Sequence, residues 1–242
     1  MSVPDVSAPA MSSTTELKYT ELGLNPDESH ALVLQHVAGA PRVLEIGCAT
    51  GYMSEELMAR GSEVVAVEVD EQAAAIARAR VVDVRVGTLE EALRPSEIGS
   101  FDCVTFADVL EHVTSPETFL RNALAYLRPG GHVVVSIPNV AHWSVRFQLL
   151  RGNFDYTKTG LLDDTHVRLF TEASVERLIA GAGLHVIDRR YTIGLSCYRK
   201  VTNPDLWWQR QKLLRTLARR WPGMFAFQFV WKAARKGDIH HG

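Results

Sequence analysis

The sequence predicts an α/β fold in which a parallel β-sheet is covered by helices on both faces. Short β-branched runs alternate with helical patterns along most of the chain, and this alternation is typical of strand–helix–strand units. The predicted strands are apolar throughout, which indicates that both faces of the sheet are buried. Ligands of such sheets bind beyond the carboxyl ends of the strands. The residues that follow each strand are therefore the first candidates for a functional site.

The composition is that of an ordinary folded protein. The chain has 242 residues, of which 46% are hydrophobic and 22% are charged, and these values exclude a disordered polypeptide. Lys and Arg total 26 against 28 Asp and Glu, so the net charge is −2. Without an excess of positive charge, we expect no nucleic-acid partner for the chain as a whole.

The cysteines and the N-terminus indicate the compartment. Cys48, Cys103 and Cys197 are odd in number and form no C-x-x-C pair, which argues against a disulfide framework and a zinc knuckle. The sequence has no run of 18 apolar residues, and no basic residue precedes the first apolar stretch, so we expect neither a membrane span nor a secretory signal. We place the chain in the cytoplasm, with residues 1–15 as a flexible tail and residues 16–242 as one domain.

The first half of the domain is predicted to contain the following helices and strands. A helix is expected to start with Asn25 as its cap and Pro26 at its first position, and to end near Gly39. Ser115 is expected to cap a later helix, which Pro129-Gly130-Gly131 closes. The β-branched strands are Val43–Ile46, Glu63–Glu68, Val84–Val86, Asp102–Phe106 and His132–Ile137, and the helices between them are Tyr52–Arg60, Glu71–Arg80 and Pro116–Leu127.

The second half departs from this alternation. Residues 138–171 carry aromatic and histidine side chains and are too long for a plain connection, which predicts a substrate-facing insertion. A helix capped by Thr171 and a strand follow, and then a basic amphipathic helix and a final strand. Their bounds are Glu172–Ala182, Leu184–Tyr191, Asp205–Arg220 and Phe225–Ala233, and the apolar side of the basic helix comprises Leu206, Leu213, Leu214, Leu217 and Trp221.

A glycine-bearing turn joins the first strand to the next helix and gives the strongest signal. It runs Glu45-Ile46-Gly47-Cys48-Ala49-Thr50-Gly51, and its glycines let the backbone bend tightly and let a ligand approach. The second strand ends in Glu68, whose carboxylate can accept hydrogen bonds from both hydroxyls of a ribose. Together they predict a nucleoside-containing ligand. The spacing is not that of the dinucleotide fingerprint, and bulky Tyr52 follows the turn, which disfavours NAD.

This turn resembles the first motif of class I S-adenosylmethionine-dependent methyltransferases, Asp/Glu-x-Gly-x-Gly-x-Gly, with Ala49 in place of the middle glycine. Four further motifs of that family are matched in order by Val64–Asp70, Gly87–Glu90, Phe101–His112 and Leu127–His132. The resemblance covers residues 25–190. It implies a Rossmann-like, seven-stranded, mostly parallel sheet with an antiparallel last strand, and S-adenosylmethionine as the cofactor.

The resemblance also implies where the cofactor binds. Its methionine part is expected near the first turn, its ribose near the second strand, its adenine near the third, and its methyl group near the fourth. The expected residues are Glu45, Gly47, Cys48, Ala49 and Gly51 for methionine, Glu68 and Val69 for ribose, Thr88 and Leu89 for adenine, and Ala107 and Asp108 for the methyl group. Thr88 stands where the family usually has an acid, and we expect no nucleophilic role for Cys48.

A finer resemblance concerns the acceptor. Ser136–Trp143, Gly152–Tyr156, Gly160–Thr171 and Phe225–Phe229 are similar to segments of bacterial methyltransferases associated with glycosyltransferases, and to a broader group that includes ubiquinone-pathway O-methyltransferases. This implies O-methylation of a sugar or of a glycosylated small molecule. Two alternatives stay open: N- or C-methylation of an amine, peptide or aromatic metabolite, and a non-catalytic protein that only binds the cofactor.

O-methylation requires that a hydroxyl lose its proton, and a histidine or a carboxylate is suited to accept it. The candidates are Glu111, His112, His142 and His166. Each also has a structural interpretation: a helix start for Glu111 and His112, packing beside Trp143 for His142, and a salt-bridged loop with Asp163, Asp164 and Arg168 for His166. We expect no metal from Asp108, Asp163 and Asp164, because adjacent Asp residues are more often turn or capping residues.

The C-terminal part of the chain is basic. Residues 199–236 contain ten Lys or Arg and one Asp, and the helical part of this segment is 199–222. Such a surface could contact phosphate-bearing lipid carriers, sugar nucleotides or the inner leaflet of a membrane as a peripheral contact. The favoured alternative is an amphipathic lid that covers the active site with Trp207 or Trp208.

Overall fold

The computed structural model describes residue 25, residues 27–194 and residues 204–238, with side chains from residue 209 onward in the last range. Its centre is a seven-stranded sheet flanked by helices. The strands are β1 Arg42–Ile46, β2 Glu63–Glu68, β3 Asp83–Val86, β4 Phe101–Ala107, β5 Leu127–Pro138, β6 Leu184–Tyr191 and β7 Gln228–Arg235. The α-helices are α1 Ser29–Val37, α2 Tyr52–Ala59, α3 Glu71–Ala77, α4 Leu89–Ala92, α5 Pro116–Ala123, α6 Trp143–Leu150, α7 Glu172–Gly181, α8 Pro204–Arg220 and α9 Pro222–Phe225.

The strand order β3-β2-β1-β4-β5-β7-β6 confirms the predicted fold. Strands β1 to β5 pair in parallel, and β7 runs antiparallel to both β5 and β6. The order reverses at β1, because Ile46 pairs with Val67 of β2 on one side and with Phe106 of β4 on the other. The loops after β1 and β4 leave the sheet in opposite directions at this point, which opens a crevice for a ligand.

Apolar side chains cover both faces of the sheet. One cluster contains Phe106, Leu120 and Ile137 and includes side chains of α5 and α7. The other contains Leu34 and Leu57, from α1 and α2, on the opposite face. Burial on both faces explains why the predicted strands lack polar alternation.

One helix start and one strand start differ from the prediction, whereas α5 starts at Pro116 as predicted. Helix α1 begins at Ser29 with Glu28 as its cap, because Asn25 accepts the backbone N–H groups of Asp27 and Glu28 and closes a turn before the helix. Ser115 occupies the cap position of α5 but makes no side-chain capping bond. Strand β5 already begins at Leu127, opposite Phe101, so the predicted Pro-Gly-Gly turn lies within it.

The insertion 138–171 contains a helix, α6, that the sequence did not predict. The side chain of His142 accepts the N–H of Ser144 at its start. Thr171 caps α7, as predicted, by accepting the N–H of Ser174. Strand β7 begins three residues later than predicted because α9 occupies 222–225, and it lies between β5 and β6.

Helix α8 buries only part of the apolar side that its pattern predicts, since Leu214 packs against the core and Leu217 is half-buried. Leu213 and Trp221 are exposed, whereas Ala218 is buried beside Ile193. Residues 1–15, Cys197 and the side chains of Leu206, Trp207 and Trp208 lie outside the described part of the chain. Among the helices that the structure describes, none has the length and apolar character needed to span a membrane.

Candidate active site

The turn after β1 is held in a left-handed conformation. Gly47, Ala49 and Gly51 have φ angles of 73°, 49° and 79°. The N–H groups of Gly47 and Cys48 donate to the carbonyl oxygen of Val67 at 2.8 and 3.2 Å, which ties the turn to β2. Ala49 replaces the middle glycine of the motif. Its backbone therefore adopts a left-handed conformation that is more favourable for glycine than for alanine.

Both glycines of the turn also lie against neighbouring elements. A Cβ atom on Gly47 would lie 2.7 Å from Cγ2 of Val109, in the loop after β4. A Cβ atom on Gly51 would lie 3.0 Å from Cβ of Ala77 and from Cγ2 of Val81. The turn therefore fills the space between α3 and the β4 loop, and only glycine fits at its two ends.

The Glu68 carboxylate connects the turn to the end of β2. One of its oxygens accepts the N–H of Ala49 at 2.8 Å, and the other accepts the N–H groups of Val69 and Asp70 at 2.8 and 3.0 Å. This role in holding the backbone is not visible in the sequence. The oxygen that faces Ala49 has one protein donor, so it retains capacity for a ligand hydroxyl.

Glu45 is a buried carboxylate at the same strand ends. It is 1% exposed and accepts a hydrogen bond from the Ser54 hydroxyl. Burial raises the pKa of Glu45 to about 8, the bond from Ser54 opposes this rise, and the charge of Glu68 adds to it. A positively charged ligand beside Glu68 would lower the pKa of Glu45 and so stabilise both carboxylates.

The neighbouring Cys48 is also buried, and burial together with the same two acids raises the pKa of its thiol. The thiol is therefore protonated at neutral pH, which is unsuited to a nucleophile.

The loop after β3 approaches Glu68 through the backbone. The N–H of Gly87 donates to the carbonyl oxygen of Glu68 at 2.9 Å. Thr88 donates its N–H and its hydroxyl to one carboxylate oxygen of Glu91, at 2.9 and 3.0 Å, and Leu89 is buried. The predicted ribose and adenine residues thus stand side by side.

Asp108 follows β4 with a φ of 55°, a second non-glycine residue in the left-handed region. Its Oδ1 atom accepts the Ser136 hydroxyl and the Gln228 side-chain amide, both at 2.8 Å. Sequence reasoning missed Ser136 and Gln228 as partners. Gln228 lies 120 residues away along the chain, and only its position on β7 brings it here.

Glu111 and His112 meet His166 from the insertion. The carbonyl oxygen of Glu111 accepts the N–H groups of Val167 and Arg168, and a ring nitrogen of His112 lies 3.1 Å from the carbonyl oxygen of Thr165. The imidazoles of His112 and His166 are 4.9 Å apart at 70°. One potential ligand atom from each of these three side chains lies within 4.8 Å of the other two.

The Glu111 carboxylate is unusual among the described residues. It is 1% exposed, and neither of its oxygens has a hydrogen-bond partner in the described part of the chain. Burial, reinforced by the charge of Asp108, raises the pKa of Glu111 well above its ordinary value. Burial and the neighbouring His112 lower the pKa of His166.

The charged residues expected beside His166 each contact a different partner. Asp163 is buried and accepts the N–H and the hydroxyl of Thr165 at 2.9 and 2.6 Å. Asp164 pairs with Lys158 at 2.9 Å, and Arg168 donates to the carbonyl oxygen of Thr114. Arg168 therefore fastens the insertion to the loop after β4.

His142 differs from the other two candidate histidines. It is 1% exposed, packs against Trp143 and Phe227 at ring distances of 5.6 Å, and caps α6 through Ser144. Burial lowers the pKa of His142 to about 4. These contacts give His142 a structural task at the start of α6.

Comparisons with known proteins identify the family of this chain. Residues 18–189 match the family model described as "Methyltransferase domain". A "Ubiquinone biosynthesis O-methyltransferase" of Marinobacter nauticus is 36% identical over 105 residues, which are 40% of this chain and 44% of that protein. The protein of the same name from Cupriavidus pinatubonensis is 30% identical over 164 residues, which are 62% of each chain. This chain thus covers less than two thirds of the length of either relative.

Solved structures share the fold. A "SAM-dependent methyltransferase, possible histamine N-methyltransferase" of Thermotoga maritima superposes with a TM-score of 0.58 at 21% identity, covering 86% of this chain and 90% of that one. The N-methyltransferase NodS of Bradyrhizobium japonicum, solved with S-adenosylhomocysteine, gives a TM-score of 0.55 at 17% identity, covering 86% and 85%. At these identities the likeness concerns the fold alone.

Proposed function

Because the chain belongs to the class I S-adenosylmethionine-dependent methyltransferases, we propose that it transfers a methyl group from S-adenosylmethionine to a small-molecule acceptor. The observation that carries the proposal is the left-handed turn 47–51, held by the Glu68 carboxylate at the point where the strand order reverses. This is the place where doubly wound sheets bind nucleosides. When bound, the sulfonium cofactor supplies an already electrophilic methyl group.

The residues of the crevice fit such a cofactor. Glu68 supplies negative charge, and the Glu45 carboxyl, whose pKa is raised to about 8 by burial, would ionise beside a ligand that carries an ammonium and a sulfonium group. The buried Thr50 hydroxyl has no partner among the described residues, and it lies in the turn where a polar ligand is expected. We assign Glu45, Gly47, Cys48, Ala49 and Gly51 to the methionine part, Glu68 and Val69 to ribose, Thr88 and Leu89 to adenine, and Ala107 and Asp108 to the approach of the acceptor.

For the acceptor, we propose a hydroxyl group of a sugar or of a glycosylated small molecule in the cytoplasm. The motif resemblance in the insertion supports the sugar, and the names of the two O-methyltransferase relatives support oxygen as the methylated atom. The proton of the hydroxyl would pass to Glu111, His112 or His166, which lie together beyond the end of β4. The protein supplies the rest of the rate enhancement by holding the acceptor hydroxyl in line with the methyl group.

Cofactor binding is tested by calorimetric titration with S-adenosylhomocysteine. We expect Glu68→Gln to weaken binding by about tenfold or more, because a charged acceptor of the ribose hydroxyls and the anchor of the turn are both weakened. Glu71→Gln, an exposed acid in the next helix, is the matched control and should leave the affinity unchanged. Equal affinity in Glu68→Gln and the wild type would refute the assignment.

The acceptor is tested by release of S-adenosylhomocysteine from S-adenosylmethionine with sugars, glycosides, phenols and amines as separate acceptors. Release with a sugar or glycoside supports the proposal. Release with amines alone, retained after His112 and His166 are both changed to Ala, would favour N-methylation. Binding of the cofactor without release for any acceptor would favour a non-catalytic protein.

A further inference from the structure

We propose that Glu111, His112 and His166 form a binding site for one divalent cation of the Zn²⁺ class. The site lies beyond the carboxyl end of β4, where the short helix Leu110–His112 meets the insertion. The inference goes beyond the proposed methyl transfer and does not depend on it. It also departs from the sequence-based expectation of no metal, which considered Asp108, Asp163 and Asp164.

The first argument is the state of the Glu111 carboxylate. Both oxygens are buried, and neither meets a donor in the part of the chain that the structure describes. A buried carboxyl group without hydrogen bonds is costly, and such groups normally pair with a charge or ligate a metal. The charges that act on it come from Asp108 and Asp163, which are also acidic. The surroundings of Glu111 therefore attract a cation.

The second argument is the geometry of the two imidazoles. One nitrogen from each histidine and one Glu111 oxygen lie mutually within 4.8 Å, and small side-chain rotations would bring them to about 3.4 Å, the spacing of ligands about 2 Å from a tetrahedral ion. A ring nitrogen of His112 lies 3.1 Å from the carbonyl oxygen of Thr165. In metal sites, a bond of this kind to a backbone carbonyl fixes the tautomer and the orientation of the ligating histidine.

The third argument is the donor set. Two imidazoles and one carboxylate suit divalent transition metals with open coordination positions. His112 is exposed, so an ion can enter from solvent. With the ion bound, Glu111, His112 and His166 act as ligands and are not available as bases. The cation site and the proton-acceptor role are therefore exclusive for Glu111, His112 and His166 alike.

The test is calorimetric titration of the full chain, dialysed against a chelator, with ZnCl₂ alone. We expect one site whose affinity falls at least tenfold in Glu111→Gln and in His112→Ala. Asp164→Asn is the matched control, since Asp164 is an exposed acid of the same insertion that pairs with Lys158, and it should stay within twofold of the wild type. His240 and His241 are present in every variant, so any weak binding by them cancels in the comparison.

Zinc affinity that is equal in the wild type and in both ligand variants, or the absence of binding, would overturn the inference. If Glu111→Gln fails to unfold cooperatively, His112→Ala decides, because an exposed side chain is removed there. Titration of the same samples with S-adenosylhomocysteine keeps the two proposals apart. Cofactor binding without a zinc site ends the cation inference alone, and a zinc site without cofactor binding ends the proposed function alone.

Discussion

Two buried acids at the strand ends show how differently the two halves of the site are built. Glu68 receives three backbone N–H groups, and all of them come from residues within 19 positions in the chain. Glu111 receives no donor among the described residues, and its neighbour His112 meets a backbone segment 53 positions away. The proposed cofactor half, around the turn 45–51 and Glu68, is thus held by local backbone contacts. The proposed acceptor half, around Asp108, Glu111 and His166, is assembled by distant segments and leaves polar groups for a ligand.

The largest effect is expected for Gly47→Ala in the cofactor half. The new Cβ atom would combine a left-handed φ of 73° with a 2.7 Å contact to Val109. We expect a loss of about 3 kcal/mol in the free energy of unfolding, from backbone strain and overpacking together. S-adenosylhomocysteine affinity should fall more than tenfold. Urea unfolding and calorimetry measure the two effects.

Two further variants separate the causes. Gly61→Ala, at a φ of 95° with nothing within 4 Å of the new Cβ, should cost only about 1 kcal/mol from backbone strain. Adding Val109→Ala to Gly47→Ala should recover part of the loss, because the clashing methyl group is removed. If Gly47→Ala and Gly61→Ala lower the free energy of unfolding equally, the close contact between the loops after β1 and β4 does not contribute to the loss.

The strand end in the proposed cofactor half could be predicted from local signals in the sequence. Strand β2 and its terminal Glu68 were predicted to the residue, because apolar runs and glycine spacing are local signals. The partners of Asp108 were not predicted. Ser136 and Gln228 reach it from two other strands, and no local pattern records which strands become neighbours.

The missed helix α6 has a physical reason as well. Phe147 and Leu150 are 47% and 85% exposed, so its apolar residues do not form the buried stripe that identifies a helix. In α8 the predicted stripe is only partly buried, because Ala218 and the predicted Leu214 pack beside Ile193 whereas Leu213 is exposed. In both helices, tertiary contacts and not the local sequence pattern determine which side chains are buried.

The second prediction concerns His142, whose structural task sets it apart from His112 and His166. Its folded-state pKa of about 4 lies below the ordinary 6.5, so below pH 6.5 the unfolded chain binds the extra proton. Stability from this group is present above pH 6.5 and is lost as pH falls towards 4. Between pH 7 and pH 5 we expect the wild type to lose about 2 kcal/mol more than His142→Asn, in which Asn still caps α6.

Urea unfolding of both proteins at the two pH values measures this difference. His36 and His132 are buried histidines present in both chains, so their titration cancels. Parallel losses in the two proteins would mean that His142 is protonated equally easily in the folded and the unfolded chain. It would then regain its place beside His166 as a candidate proton acceptor.

The smallest effect is expected where the acceptor half depends on its most distant partner. Gln228→Leu and Ser136→Ala each remove one donor to Oδ1 of Asp108, and each should cost about 1 kcal/mol in the free energy of unfolding. The double variant should cost at least about 0.5 kcal/mol more than the sum, since the carboxylate then loses both side-chain donors. Urea unfolding at pH 7 gives all three values. Additive costs would mean that solvent replaces these donors, and that β7 contributes packing but no polar support to the acceptor half.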